Sequence, residues 1–512
     1  MNNISIKNET TMNNKNANVA SVDPYEDLGI NTRFPKFLIV LFFTELWERF
    51  SYYGMRALLT LYLVNELGFS DKKSISIYST FAAIGYASPI LGGYIADRLM
   101  GFKNMVFIGG ITITLGHLLM SFTLINPDLI FVGLGLIAVG TGLFKGNVTN
   151  LLGICYANDE HSSNQDRGFT LFYVGVNLGA FAASISCAYV AHNFGWHYGF
   201  GLAGIGMFIG LVVFSCNQKL FFNKGDSPIV NLHKKRFFGL SPFALIMIGC
   251  FILSGAAAWA LPLSDGQTNI TELSIIFIIS VMGYILYNSP SDQRRNFITL
   301  GILIIFQLLF FALEMQLGSL IALFTSRNVE DVVFGLYIPA AASQAINPLS
   351  IVLLGYIISL VNIPPRFMLA RFAFGLLTMA LAFGTFWFGC ENAASSGKVE
   401  YIYLVLGSAF IGLGEVCIAP FVQSQVTLLA PKNMRGFIMG ILFLSMAIAN
   451  LMGIWLAEFI SVPSMEGIVD PLVSLQVYKD GFWSIAKFNT LLALMFLLFC
   501  PFLQKIITKM NK

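Results

Sequence analysis

The chain has 512 residues, 56% of them hydrophobic and only 11% charged, with a net charge of +3 and a mean hydropathy of +0.73. A soluble domain carries about 25% charged residues, so this composition excludes a soluble globular enzyme and describes a polytopic membrane protein. The small net charge points to no nucleic-acid partner, the five histidines show no metal-ligand spacing, and the seven cysteines (Cys187, Cys250, Cys417 and Cys500 among them, in apolar stretches) give no disulfide framework.

Spanning the hydrocarbon takes roughly 20 mostly apolar residues per helix. About fourteen such segments follow one another, centred near residues 50, 86, 114, 140, 180, 206, 251, 279, 311, 347, 378, 415, 447 and 494. Residues 1–34, ahead of the first, are polar and Asn-rich and are expected to form a disordered tail. They hold no short apolar core with a small-residue cleavage site, so the first helix is expected to act as its own insertion signal. That helix contains TELWERFSYYGMR, Thr44 to Arg56, in which Glu45, Glu48, Arg49 and Arg56 are charged. Charges at this depth are costly and usually face a cavity or one another. Glu45, Glu48, Arg49, Tyr52 and Arg56 are spaced by three or four and share one face. Glu45 precedes Arg49 by four, the favourable order for a helical ion pair, while Leu46, Phe50 and Leu58 make the opposite face apolar. A lone ion pair would only hold helices together; this many polar groups on one stripe point to a wet, functional surface.

The second helix ends in GGYIADRLMG, Gly92 to Gly101. Small residues before an acidic–basic pair suit close helix packing and a gating ion pair there. His117 in the third helix reads as a hydrogen-bonded packing residue rather than a proton relay. The fourth carries Lys145 in GTGLFKGNVTN, an ammonium among apolar neighbours. The longest basic connector, Asn217 to Leu240, follows the sixth helix. Two apolar helices, roughly 241–262 and 271–288, come next without charged interior positions, and six more complete the chain. Among those six, Glu314 in FFALEMQLGS and Glu415 in FIGLGEVCIAP sit mid-helix. Glu458 and Lys487 lie near helix ends, from which they can reach the interface.

The simplest parse is an all-α membrane protein with a tail (1–34), an N-terminal six-helix bundle (35–217), a basic linker with two inserted helices (218–295) and a C-terminal six-helix bundle (296–512). Large transporters built from two such halves bind their load near the bilayer midplane, at the interface. Orientation follows from Lys and Arg in the loops. With the N-terminus in the cytoplasm, Arg98/Lys103, Arg167, Lys219 to Arg236, Arg294/Arg295, Arg366/Arg371 and Lys432/Arg435 fall inside. The opposite loops hold only Lys72, Lys73, Arg327, Lys398 and Lys479, and both termini are then cytoplasmic. The central charges number four carboxylates (Glu45, Glu48, Glu314, Glu415) and three cations (Arg49, Arg56, Lys145). One carboxylate lacks a full partner, and burial penalises its charged form. One proton is therefore expected to neutralise the set, as a proton-coupled carrier of a zwitterion requires.

ELWERFSYYG (Glu45 to Gly54) fits the ExxERFxYYG signature of the proton-dependent oligopeptide transporter family, a branch of the major facilitator superfamily. DRGFTLFYVGVNLGAF (Asp166 to Phe181) resembles that family's second signature, GTGLFKGNV its fourth-helix motif and GEVCIAPF its tenth-helix motif, so the resemblance spans nearly the whole chain. It implies the major facilitator fold and uptake of di- and tripeptides with protons. By motif, Arg49 and Lys145 correspond to the cations receiving the peptide carboxylate, and Glu415 to the acid meeting its amino group. Tyr52, Tyr53, Tyr86, Asn177 and Asn347 match polar positions of the cavity. Glu45 and Glu48 belong to the proton-coupling motif, with Glu314 as a further proton-coupling candidate. Arg56 matches one arm of an external gate whose partner would be Glu314, and Lys145 and Glu415 form a second candidate gate pair. Three departures stand out: Gly146 where proline is common, Glu314 displaced by one position, and Leu442 where many members have Trp.

The expected function is that of a proton-coupled symporter importing di- and tripeptides by alternating access, driven by the proton gradient without a cofactor and not an enzyme. Its expected setting is the bacterial inner membrane, as a monomer, with peptides, protons and lipid as partners. The alternative is a same-fold carrier of another solute: a siderophore, nitrate or an amino-acid conjugate. A nitrate carrier would have little use for Glu415.

Overall fold

The computed structural model describes residues 34–157, 164–229, 239–264, 268–361, 364, 367–393, 395–431, 434–462 and 469–510. The expected tail lies outside them except for Phe34, as do Lys234, Lys235, Arg236, Arg366 and Lys432 of the basic loop positions. The described residues form α1 (Lys36–Asn65), α2 (Asp71–Ile95), α3 (Phe102–Met120), α4 (Leu129–Ala157), α5 (Gln165–Phe194) and α6 (Trp196–Cys216). Then come α7 (Pro242–Ala260), α8 (Thr268–Asn288), α9 (Ser291–Glu314), α10 (Leu320–Asn328), α11 (Ile346–Leu360), α12 (Met368–Glu391), α13 (Tyr401–Leu429), α14 (Arg435–Phe459) and α15 (Pro471–Met510). Among the described residues, thirteen helical segments are long and apolar enough to cross a membrane. To these α1 adds a fourteenth by length, at 30 residues; its charges keep it out of the apolar set. The expectation of about fourteen spans is therefore met.

Local chemistry sets the helix limits. Ser70 caps α2 by accepting from the Lys73 amide at 3.3 Å, satisfying one of the donors that a helix start leaves free. Ser241 does the same for α7, where Pro242 occupies the first turn. Gly101, at φ 76°, turns the chain between α2 and α3, and a side chain there would strike the backbone of Asp226 and Ser227. The linker after α6 is docked on this turn: Ser227 Oγ donates to Leu99 O at 2.6 Å, and Lys103 pairs with Asp226. The ion pair expected of Asp97 and Arg98 is not formed among the described residues; both are exposed. The small residues of that motif serve packing instead. Gly92 abuts the Gly142 carbonyl of α4, and Asn147 Nδ2 donates to Gly92 O at 3.2 Å.

Two large hydrophobic cores result. One draws mainly on residues between Phe37 and Phe221, the other on residues between Ile285 and Leu503. In the first, α1 packs on α5 and α6, and α3 on α4; in the second, α12 packs on α13 and α15. Inserted α7 lies against α4 and α8 against α14, with most of their surfaces exposed, as helices facing lipid should be. α2 packs on α14 and α5 on α11, joining the two cores.

The end of the molecule away from the basic loops is closed by polar contacts between the two cores. Arg327 holds Asp71 through two bonds of 2.6 Å, Lys72 pairs with Glu458 at 2.8 Å, Thr60 Oγ1 donates to Gly318 O at 2.8 Å, and Tyr189 Oη donates to Tyr337 O at 2.8 Å. A two-strand hairpin, β1 (Val332–Val333) and β2 (Leu336–Tyr337), covers the same end. Below this closure lies a cavity of about 460 Å³ between the cores.

Candidate functional site

The cavity wall from the first core is made by α1, α2, α4 and α5. α1 contributes Glu45, Arg49, Tyr53 and Arg56; the others contribute Tyr86, Lys145 and Asn177. From the second core come Glu314 at the end of α9, Asn347 on α11 and Glu415 on α13. Thr149, Phe169 and Gln423, nearer the basic ends of their helices, also line it, so the cavity opens toward that end.

Two residues expected on this surface are not on the wall. Glu48 is fully buried and Tyr52 nearly so. At about 100° per residue, Glu48 lies about 60° from Glu45 on the side away from Arg49 and Tyr53, which turns it into the bundle. Tyr52 sits at the stripe's edge, edge-to-face with Tyr53 and stacked on Phe81 at 6.1 Å. Both still touch the site through Arg49. Arg49 Nε lies 3.1 Å from Glu45, contacts Glu48 on its other side, and its guanidinium sits 5.6 Å from the Tyr52 ring. One cation thus bridges two carboxylates, and Arg49 is 2% exposed.

The expected gate pairs are not joined. No ion pair links Arg56 to Glu314, or Lys145 to Glu415, among the described residues. Arg56 instead donates to Tyr78 Oη, reaches Met315 Sδ at 3.8 Å and lies over the Tyr53 ring at 5.6 Å. The cause is local: α9 ends at Glu314 and tightens to a 3-10 turn over Met315–Gly318, which presents Met315 where the acid was expected. Glu314 Oε2 is buried without a hydrogen-bond partner. Lys145 Nζ lies 4.7 Å from the Tyr86 ring centroid, a cation–π contact across α2 and α4.

Departures from the family pattern have structural answers. α4 runs unbroken through Gly146, beside which there is open space. Leu442 belongs to the buried core of the C-terminal bundle, not to the cavity, and its neighbour Phe443 supplies an aromatic side chain to the wall. His117 packs as expected, with its Nε2 at 2.6 Å from Ser51 Oγ. Glu458, set aside from the site, pairs with Lys72 at the closed end.

Sequence reasoning missed Tyr78, Gln344 and Tyr173. Tyr78 lies eight residues before Tyr86 on α2, so helical spacing could have found it. Gln344 donates to Ala57 O at 3.2 Å from a 3-10 segment, Ala340–Ala345, where no periodicity marks a face. Tyr173 precedes Asn177 by four; Asn177 Nδ2 donates to its carbonyl at 3.1 Å, and both line the cavity.

Known proteins resemble this chain over nearly its whole length. The model of the POT family matches residues 103–473. The chain is 31% identical over 493 residues to dipeptide and tripeptide permease A of Salmonella typhimurium, covering 95% of this chain and 96% of that protein. It is 32% identical over 492 residues to dipeptide and tripeptide permease B of Aliivibrio fischeri, covering 93% and 95%. A solved structure of a peptide transporter POT in complex with sulfate matches with a TM-score of 0.78 at 30% identity, over 95% of this chain and 99% of that one. Tetrameric PepTSo2 matches with a TM-score of 0.80 at 28% identity, over 92% and 98%. The fold is thus the major-facilitator arrangement expected from the sequence, carried by a multi-pass membrane protein. A family model spanning most of the chain and full-length permease relatives above 30% identity place this protein in the POT family of transporters.

Proposed function

We propose that the protein imports di- and tripeptides together with protons by alternating access between the bundles 35–217 and 296–512. The observation that carries the reading is the division of charge across the cavity. Arg49 and Lys145 stand on the N-terminal side, and Glu415 with Asn347 on the C-terminal side. A free peptide has one carboxylate and one ammonium several ångströms apart, with variable side chains between them. Fixed opposite charges hold the two ends, and the apolar and aromatic remainder of the wall accepts whatever lies between. The cavity of about 460 Å³ falls in the range of about 300–1,000 Å³ typical of small-ligand sites.

In this reading Arg49 and Lys145 take the carboxylate, Glu415 the amino group, and Tyr53, Tyr86, Asn177 and Asn347 the polar backbone. Tyr52 acts from behind Arg49. Glu45, Glu48 and Glu314 hold the coupling proton. The full-length permease relatives support peptides as the load. The Lys/Arg bias supports a cytoplasmic basic end, with both termini inside a bacterial inner membrane. The external gate residues Arg56 and Glu314 belong to the end that is closed here, where Arg56 takes Tyr78 and Met315 instead; the pair Lys145–Glu415 would form in the state closed at the basic end.

The test is uptake by purified monomeric protein in liposomes. Dialanine should accumulate only under an inward proton gradient and be competed by other dipeptides but not by free amino acids. Competition by a siderophore or nitrate with no effect of dipeptides would overturn the peptide reading; uptake indifferent to the gradient would overturn proton coupling.

A further inference from the structure

α13 carries Glu415 five residues before Pro420, which lies inside the helix. Proline has no amide hydrogen, so the carbonyl four residues earlier, that of Val416, loses its helical donor. A freed carbonyl away from water needs another partner. Here the partner comes from a different helix: Arg371 Nη2, on α12, donates to Val416 O at 2.7 Å. Arg371 stands in the first turn of α12 rather than in the loop where its charge was counted. No ion pair to a carboxylate is formed by it among the described residues, and its Nε is buried without a hydrogen-bond partner. A half-buried guanidinium held in a membrane protein by one helix carbonyl and the neighbouring Cys417 thiol is costly, so the contact needs a reason beyond adhesion.

We propose that Arg371 is a positioning residue: by holding the Val416 carbonyl it fixes the bend of α13 and, one residue upstream, the direction in which Glu415 enters the cavity. Arg371 and an amide hydrogen at position 420 are then alternative ways of satisfying one carbonyl. That makes the effect of losing Arg371 depend on Pro420.

The first measurement does not need a substrate. A Glu415→Cys thiol is reacted with a small charged methanethiosulfonate, with protein retaining Glu415 as background, in protein that elutes as a single species. Adding Arg371→Ala should slow the reaction about tenfold, the scale of one lost hydrogen bond to a charged group. Adding Pro420→Ala as well should restore it, because the new amide hydrogen takes the carbonyl back. The second measurement rests on the peptide reading above: in the Glu415 protein, Arg371→Ala should raise the KM for dialanine more than it lowers kcat, and Arg371→Ala with Pro420→Ala should reverse this. A rate of thiol reaction unchanged by Arg371→Ala, or lowered equally whether residue 420 is Pro or Ala, overturns the proposal. Absence of dialanine transport by the unmodified protein would overturn the peptide reading instead, and the thiol rates still decide the role of Arg371.

Discussion

Arg49 is a charge enclosed on all sides, 2% exposed. It is bound between Glu45 and Glu48 on its own helix, and both carboxylates keep oxygens without hydrogen-bond partners. Two negative charges share one positive charge, so a proton on either acid relieves the excess. Replacing Glu45 or Glu48 by Gln mimics that proton permanently. The expected outcome is loss of dialanine accumulation driven by a proton gradient, with exchange of labelled for unlabelled dialanine retained, since exchange needs no net proton movement. Accumulation by the Glu45→Gln, Glu48→Gln and double variants alike would remove both acids from coupling. The sequence made this cluster legible because helical spacing of three and four is visible without a fold. It misplaced Glu48 and Tyr52 because spacing defines a stripe and not its midline. Only packing against α2, through Phe81, shows that the cavity is centred on Arg49 and Tyr53.

Helix against helix, the decisive features are close approaches and interruptions. α2 and α4 touch at Gly92, where an added Cβ would come within 2.1 Å of the Gly142 carbonyl oxygen. That neighbour is backbone and cannot swing aside. Gly92→Ala should therefore destabilise the protein by about 1–3 kcal/mol, the usual cost of overpacking, seen as a lower Tm in detergent. Gly146, on the same helix α4, has nothing within 4 Å of its Cβ position. Gly146→Ala should leave Tm unchanged or raise it, by up to about 1 kcal/mol of reduced chain entropy. A similar fall in both variants would show that the Gly92–Gly142 approach is not what governs the response, since replacing glycine by alanine within a helix otherwise stabilises it. The small residues of GGYIADRLMG announced this packing correctly, whereas the Asp97–Arg98 pair they accompany stays unjoined. Fourteen spans were legible because apolar runs of membrane length are unambiguous. The break after Glu314 was not, since no proline or glycine stands at the point where α9 tightens.

Across the whole molecule, polar contacts between the bundles gather at one end while the cavity opens at the other. This is the arrangement of a carrier whose halves rock about a central site. The pair Asp71–Arg327 is the best-formed of these contacts. It is bidentate at 2.6 Å, with Tyr478 Oη accepting from Arg327 at 3.2 Å and the Val462 amide donating to Asp71 at 3.4 Å. The Asp71 and Arg327 side chains are 5% and 13% exposed, so solvent screens the pair weakly. Removing one partner of a buried pair costs about 3–5 kcal/mol, largely because the other charge is left unpaired. Separation of the bundles would let water reach that orphaned charge, so Asp71→Asn should favour the state open at this end. Each 1.4 kcal/mol or so of preference moves the populations about tenfold. Spin labels at Asn65→Cys and Glu330→Cys, exposed positions on the two sides of the closure, report the separation. The unmodified ion pair should give mainly the short distance, and Asp71→Asn a larger fraction at a longer one. Exchanging the charges, Asp71→Arg with Arg327→Asp, should return the short distance, since the attraction is kept while the residues are swapped. An unchanged distribution in Asp71→Asn would mean that the hydrogen bonds deeper in the closure, from Thr60 to Gly318 and from Gln344 to Ala57, hold the bundles together without this pair.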